Sequence, residues 1–172
     1  WDAGSAKLLA GLGFEALAPT SAGLAFTLGK PDGVGRVTRD ETITNAHAIV
    51  AATDLPVTAD LEDGFGSKPE AAAETIKRAV AVGLVGGSIE DSTREGDKPV
   101  YDIAHAVERI VAAAEVVKSL SFPFLLVGRA ENYLHGRADL GDTIRRLQAY
   151  QQAGAQVLYA PGLPDLAAIR LV

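Results

Sequence analysis

Short apolar runs alternate along the chain with longer segments in which apolar residues recur every three or four positions. The short runs are apolar up to their last one or two residues, which is typical of strands buried on both faces of a parallel sheet. The pattern predicts five strands, over residues 16–20, 57–60, 84–90, 124–129 and 156–160. It therefore predicts an α/β fold in which helices connect successive strands.

The segments between these runs carry helix signals. Thr38-x-x-Glu41 and Ser67-x-x-Glu70 match the capping-box pattern, in which two side chains bind the free amides at a helix start. Pro69 suits the first position of the second helix. Residues 102–118 form one apolar stripe at helical spacing. A last helix begins at Pro164-Asp165, and left-handed C-caps are predicted at Gly13, Gly83 and Gly154.

Alternating strands and helices are compatible with an open doubly wound sheet or with a closed eight-stranded barrel. An open sheet concentrates its functional groups at one switch point, whereas a barrel carries them at the carboxyl ends of many strands. Charged residues end several successive strands here: Asp60 and Glu62, Glu90 and Asp91, Arg129 and Glu131. This distribution favours the barrel.

Composition excludes several functions. The 172 residues include 22 acidic and 16 basic side chains, and a net charge of −6 argues against nucleic-acid or anionic-membrane binding. The absence of cysteine excludes disulfides, thiolate metal sites and a cysteine nucleophile within this chain. No signal-peptide pattern and no apolar run of about 20 residues occurs. These features predict a cytoplasmic protein.

The stretch from Asp60 to Gly66 is the most informative, because a strand runs into three carboxylates and then into two glycines. Asp60 and Glu62 can face one point above the sheet, and Glu90, about one βα unit later, can supply a third carboxylate. Oxygen ligands without thiolates suit Mg²⁺ or Mn²⁺. The alternative is that these acids cap the following helices or are solvated.

Three further features are candidates for ligand binding. Residues 20–23 are small and carry hydroxyls and free amides that can bind a carboxylate or phosphoryl oxygen, unless they form an ordinary turn. Arg129 ends an apolar strand and can bind an anionic substrate as a fork, or form an ion pair with Glu131 or another strand-end acid. His135 could reach the same site, whereas His47 and His105 lie in helical patterns. No nucleotide-binding fingerprint occurs.

In their order along the chain, these motifs resemble the phosphoenolpyruvate mutase/isocitrate lyase superfamily over essentially the whole sequence. Residues 60–66 are similar to its D-x-D-x-G-Y/F-G metal motif, with Glu62 in place of the second aspartate. The strand-end and loop motifs of that family are matched at residues 20–23, 28–32, 88–91, 128–131 and 153–155.

The resemblance implies a (β/α)₈ TIM-type barrel that stabilises the enolate of a small α-oxo acid with Mg²⁺, or Mn²⁺. It implies that Asp60 contacts the metal and that Glu62 and Glu90 hold waters bound to it. It also implies that Asp32 is a catalytic acid or lies near those waters, and that Arg129 is catalytic and pairs with a carboxylate or phosphoryl group. The implied substrate-binding residues are Thr20, Ser21, Ala22 and Gly23, together with Arg129.

The function implied is the making or breaking of a C–C or P–C bond beside the carbonyl of an α-oxo acid or its enol phosphate. The lyases of this superfamily carry a cysteine proton carrier, and residues 92–99 contain none, which argues against an isocitrate or methylisocitrate lyase. This segment could still act as a lid, with Arg94 and Lys98 touching an anionic substrate. The alternative is a non-catalytic metabolite-binding barrel that keeps the metal and oxyanion pocket.

The chain opens on Trp1 and contains no methionine. Barrels of this kind have about 250 residues. We therefore expect residues 1–172 to be a single partial barrel domain, covering about the second to the sixth strand of a longer chain. The resemblance further implies a homo-oligomer, a dimer or tetramer.

Overall fold

A computed structural model describes residues 1–93 and 95–172. Four parallel strands are adjacent in chain order: β1 (Thr58–Asp60), β2 (Gly86–Glu90), β3 (Leu125–Arg129) and β4 (Val157–Tyr159). A parallel bridge from Leu17 to Val57 aligns the first predicted strand beside β1. All five predicted strand positions are therefore confirmed, and they run parallel as their apolar character indicated.

Helices connect the strands. They are α1 (Ala3–Gly11), α2 (Ser21–Thr27), α3 (Arg39–Val50), α4 (Pro69–Ala81), α5 (Ile103–Lys118), α6 (Leu140–Ala153) and α7 (Leu166–Leu171). Because α4, α5 and α6 each return the chain to the start of the next strand, the carboxyl ends of β1 to β4 meet at one edge. None of the described helices is both long and apolar enough to cross a membrane.

Two predicted helix starts have different outcomes. The capping box of Thr38 and Glu41 is present at α3. The capping box predicted at Ser67 is wrong, because Lys68 is the N-cap of α4 and its side chain makes no capping bond. The physical reason is Pro69: the residue before a proline is held in extended backbone, and the proline itself is preset for the first helical position. The start of α4 is thus fixed by Pro69.

The left-handed helix ends predicted at three glycines are confirmed. Gly13, Gly83 and Gly154 have φ of 89°, 91° and 112°. At Gly154 a Cβ would lie only 2.8 Å from the Cβ of Ala114, so that α6 and α5 could not keep this approach with a larger residue. These glycines let each helix end directly before the following strand.

The two faces of the sheet have different roles. On one face, Ala59, Ile89 and Leu126 are buried in the hydrophobic core. The strand ends Asp60 and Arg129 alternate with these positions and therefore project from the opposite face. The fold thus separates the packed helical layer from the polar edge.

We expect Gly128→Ala to lower the free energy of unfolding by about 1–3 kcal/mol through overpacking. A Cβ at Gly128 would lie 2.8 Å from the Cβ of Tyr150, where β3 packs closely on α6. Gly141→Ala, in the first turn of α6, is the matched control, because its Cβ would meet Asp139 Oδ1 at an ordinary 3.4 Å. Urea unfolding compares the two, and equal midpoints would contradict the close packing.

Candidate active site

Three of the predicted functional residues are the last residues of adjacent strands: Asp60 of β1, Glu90 of β2 and Arg129 of β3. The parallel register pairs Glu90 with Arg129 and Asp60 with Ser88. Above them lies a cleft of about 210 Å³. It is lined by Ser21, Asp32, Gly33, Glu62, Glu90, Ser92, Arg129, Glu131, Leu134 and His135.

Arg129 lies at the centre of this group. Its Nε is 2.6 Å from Glu131 Oε1 and 3.6 Å from Glu90 Oε2, and its Nη1 is 3.6 Å from Asp60 Oδ2. Burial alone would lower the pKa of Arg129, but the three carboxylates raise it. The ion pair with Glu131 that the sequence left as an alternative is therefore present. A substrate anion at Arg129 would compete with this carboxylate.

Glu90 has few compensating contacts. Its Oε1 accepts a 2.7 Å hydrogen bond from Ser92 Oγ, and Arg129 approaches its other oxygen. Burial, reinforced by the charges of Glu131 and Asp60, nevertheless raises the pKa of Glu90 to about 8. Because its ionised form is disfavoured here, an added cation near Glu90 would be stabilising.

Asp60 connects residues 20–23 to the loop that follows β1 through hydrogen bonds. Its Oδ2 accepts hydrogen bonds from Ser21 Oγ at 2.9 Å and from the Ser21 amide at 3.4 Å, while Oδ1 accepts one from the Glu62 amide at 3.1 Å. Ser21 begins α2, with Thr20 as its N-cap. The stretch is therefore the first turn of a helix whose leading serine contacts Asp60. Binding of substrate by these residues remains a prediction.

Glycine at position 23 has a steric cause. A Cβ there would lie 2.8 Å from the Cβ of Trp1 and 2.9 Å from Cγ2 of Thr20. The carbonyl of Trp1 also accepts a 2.8 Å hydrogen bond from Asn45 Nδ2 of α3. Trp1, although exposed, thus packs on the turn that contains the predicted substrate-binding residues.

The remaining predicted site residues divide into those that reach the cleft and those that do not. Asp32 is exposed and lines it, and His135 lines it with Nε2 3.6 Å from Glu131 Oε2. Lys98 instead lines a separate depression with His105 and Arg137. Arg94, the other cation suggested for the 92–99 segment, lies outside the described residues.

The predicted metal-ligand set consists of hard carboxylate oxygens. In residues 1–93 and 95–172, no three histidine or acidic side chains are grouped as a complete protein-only metal site. Mg²⁺ usually takes only one or two carboxylates and keeps several waters, so such a cage is not needed. The donor chemistry and the raised pKa of Glu90 fit a divalent cation.

The sequence did not predict one buried hydrogen-bond network. The buried carboxylate of Asp91 accepts hydrogen bonds from the Glu131 amide (2.8 Å), Arg146 Nη1 (3.0 Å) and the Tyr150 hydroxyl (2.5 Å). Asp91 thereby ties the segment after β3 to the end of β2. The sequence signals were the position of Asp91 at a strand end and the spacing of four residues that puts Arg146 and Tyr150 on one face of a helix.

The fold and the site define a class: a parallel α/β chain with carboxylates and an arginine at successive strand ends. The sequence profile of the phosphoenolpyruvate phosphomutase family matches residues 1–172. The chain belongs to this family, and the resemblance seen in its motifs is confirmed.

Named relatives agree with this membership. The 2-methylisocitrate lyase of Escherichia coli K12 is 30% identical over 174 residues, covering 98% of this chain and 58% of that protein. A structure from Burkholderia cenocepacia J2315, described as a lyase or mutase, is 56% identical with a TM-score of 0.96, covering 99% of this chain and 60% of the other. The structure of oxaloacetate acetylhydrolase bound to its product oxalate is 27% identical with a TM-score of 0.89, and the match covers 100% of this chain and 61% of that one. The chain thus spans about three fifths of the length of these relatives.

Proposed function

We propose that this chain carries the active-site edge of a Mg²⁺-dependent enzyme that makes or breaks a C–C or P–C bond beside the carbonyl of a small α-oxo acid. The observation that carries the proposal is the convergence of Asp60 and Glu90 on Arg129, which together with Glu90 and Glu62 lines one small cleft. Membership of a family whose named relatives are lyases and hydrolases of small acids supports it.

Asp60, Glu62 and Glu90 are the residues that would hold the metal in this proposal. Mg²⁺ at these carboxylates would stabilise the negative charge that develops on the oxygens of an oxo acid as the bond breaks. This assignment draws on the carboxylate oxygens themselves and on the raised pKa of Glu90, which an added cation would lower again.

Arg129 and Ser21 would bind the substrate's oxygens. The guanidinium of Arg129 offers donors in a planar fork, which suits a carboxylate or phosphoryl group. The amide and hydroxyl of Ser21 donate to Asp60 at the rim of the same cleft, so a substrate oxygen bound by Ser21 would replace that carboxylate as the acceptor. Donors fixed in advance around a developing enolate lower its energy without reorganisation during the reaction.

The cleft also suggests the size and charge of the substrate. A volume of about 210 Å³ suits a molecule of few carbon atoms. Glu131 already pairs with Arg129 and adds negative charge to the lining. We therefore propose a compact substrate in which the anionic groups lie close to the oxo group, as in oxaloacetate or phosphonopyruvate.

The test is Mg²⁺-dependent release of pyruvate or oxalate by the complete natural protein. The panel is oxaloacetate, phosphonopyruvate, 2-methylisocitrate and substituted malates. We expect turnover of at least one of them, loss of that turnover in EDTA, and recovery on addition of Mg²⁺.

Oxalate binding, measured by calorimetry with and without Mg²⁺, separates the alternatives. Oxalate resembles an enolate in shape and charge, so a site built for such a species should bind it. No turnover together with Mg²⁺-dependent oxalate binding would favour the non-catalytic metabolite-binding barrel. Neither turnover nor binding would contradict both functions.

A further inference from the structure

The loop that follows β1 has an unusual backbone. Glu62 and Phe65 adopt positive φ of 48° and 59°, and Gly64 between them has φ of 74°. For a residue with a side chain this conformation costs roughly 1–2 kcal/mol. Glu62 and Asp63 are nevertheless buried, with exposures of 7% and 3%. The surrounding structure must therefore hold this loop in place.

We call residues 62–67 the acidic loop. Part of it is held by the loop's own neighbours: the Glu62 carbonyl accepts from the Glu90 amide at 3.0 Å, and the Phe65 amide donates to Asp63 Oδ1 at 2.9 Å. The Gly64 carbonyl also accepts a 2.8 Å hydrogen bond from Thr75 Oγ1 of α4. Arginine side chains bind the carbonyls of Asp63, Gly64, Phe65 and Ser67.

Arg109 of α5 is the first of these. Its side chain is among the largest fully buried ones, with 1% exposure. Nη2 donates to the Asp63 carbonyl and Nη1 to the Ser67 carbonyl at 3.4 Å, so that one guanidinium spans the acidic loop. The ring of Tyr101 packs on the guanidinium, with its centroid 4.6 Å from Cζ. The acceptors of this buried charge are thus main-chain carbonyls rather than a carboxylate.

Arg39 of α3 binds the acidic loop from a different helix. Its Nη2 donates to the carbonyls of Gly64 at 3.2 Å and Phe65 at 3.3 Å, and more weakly to Ala71 at 3.4 Å. Two helices that are distant in sequence therefore each contribute an arginine to consecutive carbonyls of one strained loop. Burying a charge such as that of Arg109 is expensive, which makes a role in fold stability alone a poor explanation for it.

We propose that Arg109 and Arg39 are positioning residues that hold the acidic loop in its left-handed conformation and keep the Glu62 carboxylate in the cleft. The consequence for metal binding rests on the proposed function. The consequence for loop order does not, because it follows from the hydrogen bonds alone.

The test compares Arg109→Lys and Arg39→Lys in the complete natural protein. Lysine keeps the charge, but its single nitrogen cannot reproduce the two-nitrogen fork of Arg109, and its side chain is one bond too short to reach the carbonyls bound by Arg39 Nη2. We expect the amides of Glu62, Gly64 and Phe65 to exchange with solvent about tenfold faster in each variant, while amides of β2 and β3 exchange as in the wild type. Mn²⁺ affinity, followed by electron paramagnetic resonance, should fall about 10–100-fold, as for other groups that orient metal ligands.

Arg78→Lys is the control, because this arginine of α4 pairs with exposed Asp40 and, among the described residues, donates no hydrogen bond to the acidic loop. Unchanged exchange of the loop amides in both folded lysine variants would overturn the positioning role. If the wild type binds no Mn²⁺, the proposed function fails, and the exchange rates still decide the positioning role. If exchange is faster across the whole chain in Arg109→Lys, that variant is destabilised throughout. The loop-amide exchange of Arg39→Lys then decides, because Arg39 lies nearer the surface.

Discussion

Replacing Asp60 by asparagine is expected to lower Mg²⁺-dependent turnover by about a thousandfold or more, because Lewis-acid stabilisation is worth several kcal/mol and each 1.4 kcal/mol is tenfold in rate. Asparagine matches aspartate in shape but lacks the charge. Asp60 accepts from Ser21 and from the Glu62 amide, and it approaches Arg129. Loss of its charge would therefore weaken the proposed metal site together with the contacts that Asp60 makes with Ser21, Glu62 and Arg129.

The effect of Asp60→Asn should be separable from a loss of folding. Mn²⁺ titration and circular dichroism of the same sample report the metal affinity and the secondary structure. Asp40→Asn is the control, because Asp40 is 78% exposed and pairs with Arg78 on the helical side. Wild-type Mn²⁺ affinity in folded Asp60→Asn would contradict the assignment of Asp60 to the metal.

Sequence periodicity predicted the fold well because the strands are short and largely apolar, and three of them end in a charged residue. Buried parallel strands need no alternation, so residues 84–90 could be recognised by their run of apolar and small residues. Residues 124–129 have the same apolar run, although burial alternates along β3 and Leu125 is 48% exposed. The capping box at Ser67 failed for a local reason, since Pro69 overrides a side-chain cap. Local chemistry therefore determined both the confirmed and the wrong helix starts.

The candidate site was predictable only in part. Asp60, Glu90 and Arg129 could be identified because strand ends of a parallel sheet meet at one edge. Arg109, Arg146 and the other groups that fix their positions lie on helices, where a buried arginine has the same spacing as any core residue. Which backbone carbonyl or carboxylate such an arginine reaches depends on tertiary packing, and no local pattern records it.

Replacing Arg129 by methionine is expected to lower the free energy of unfolding of the metal-free protein by about 3 kcal/mol, since removing one partner of a buried ion pair leaves uncompensated charge. The side chain of Arg129 is only 16% exposed and is the shared cation of Asp60, Glu90 and Glu131. Urea unfolding in EDTA measures the loss. Mg²⁺ should then stabilise Arg129→Met more than the wild type, because the carboxylates no longer share a guanidinium.

Two variants make this expectation specific to the carboxylate cluster. Arg145→Met removes an arginine that is 62% exposed and contacts Asp142 at 3.3 Å, so its unfolding free energy should change by less than about 1 kcal/mol. Adding Glu131→Gln to Arg129→Met removes one of the stranded charges and should recover part of the loss, which a double-mutant cycle quantifies. Equal stability of Arg129→Met and Arg145→Met, or no recovery on adding Glu131→Gln, would show that Arg129 does not hold these carboxylates together. Oxalate binding in the presence of Mg²⁺ gives a separate readout. If Arg129→Met no longer binds oxalate but binds Mn²⁺ at least as tightly as the wild type, the guanidinium binds the substrate in addition to pairing with the carboxylates.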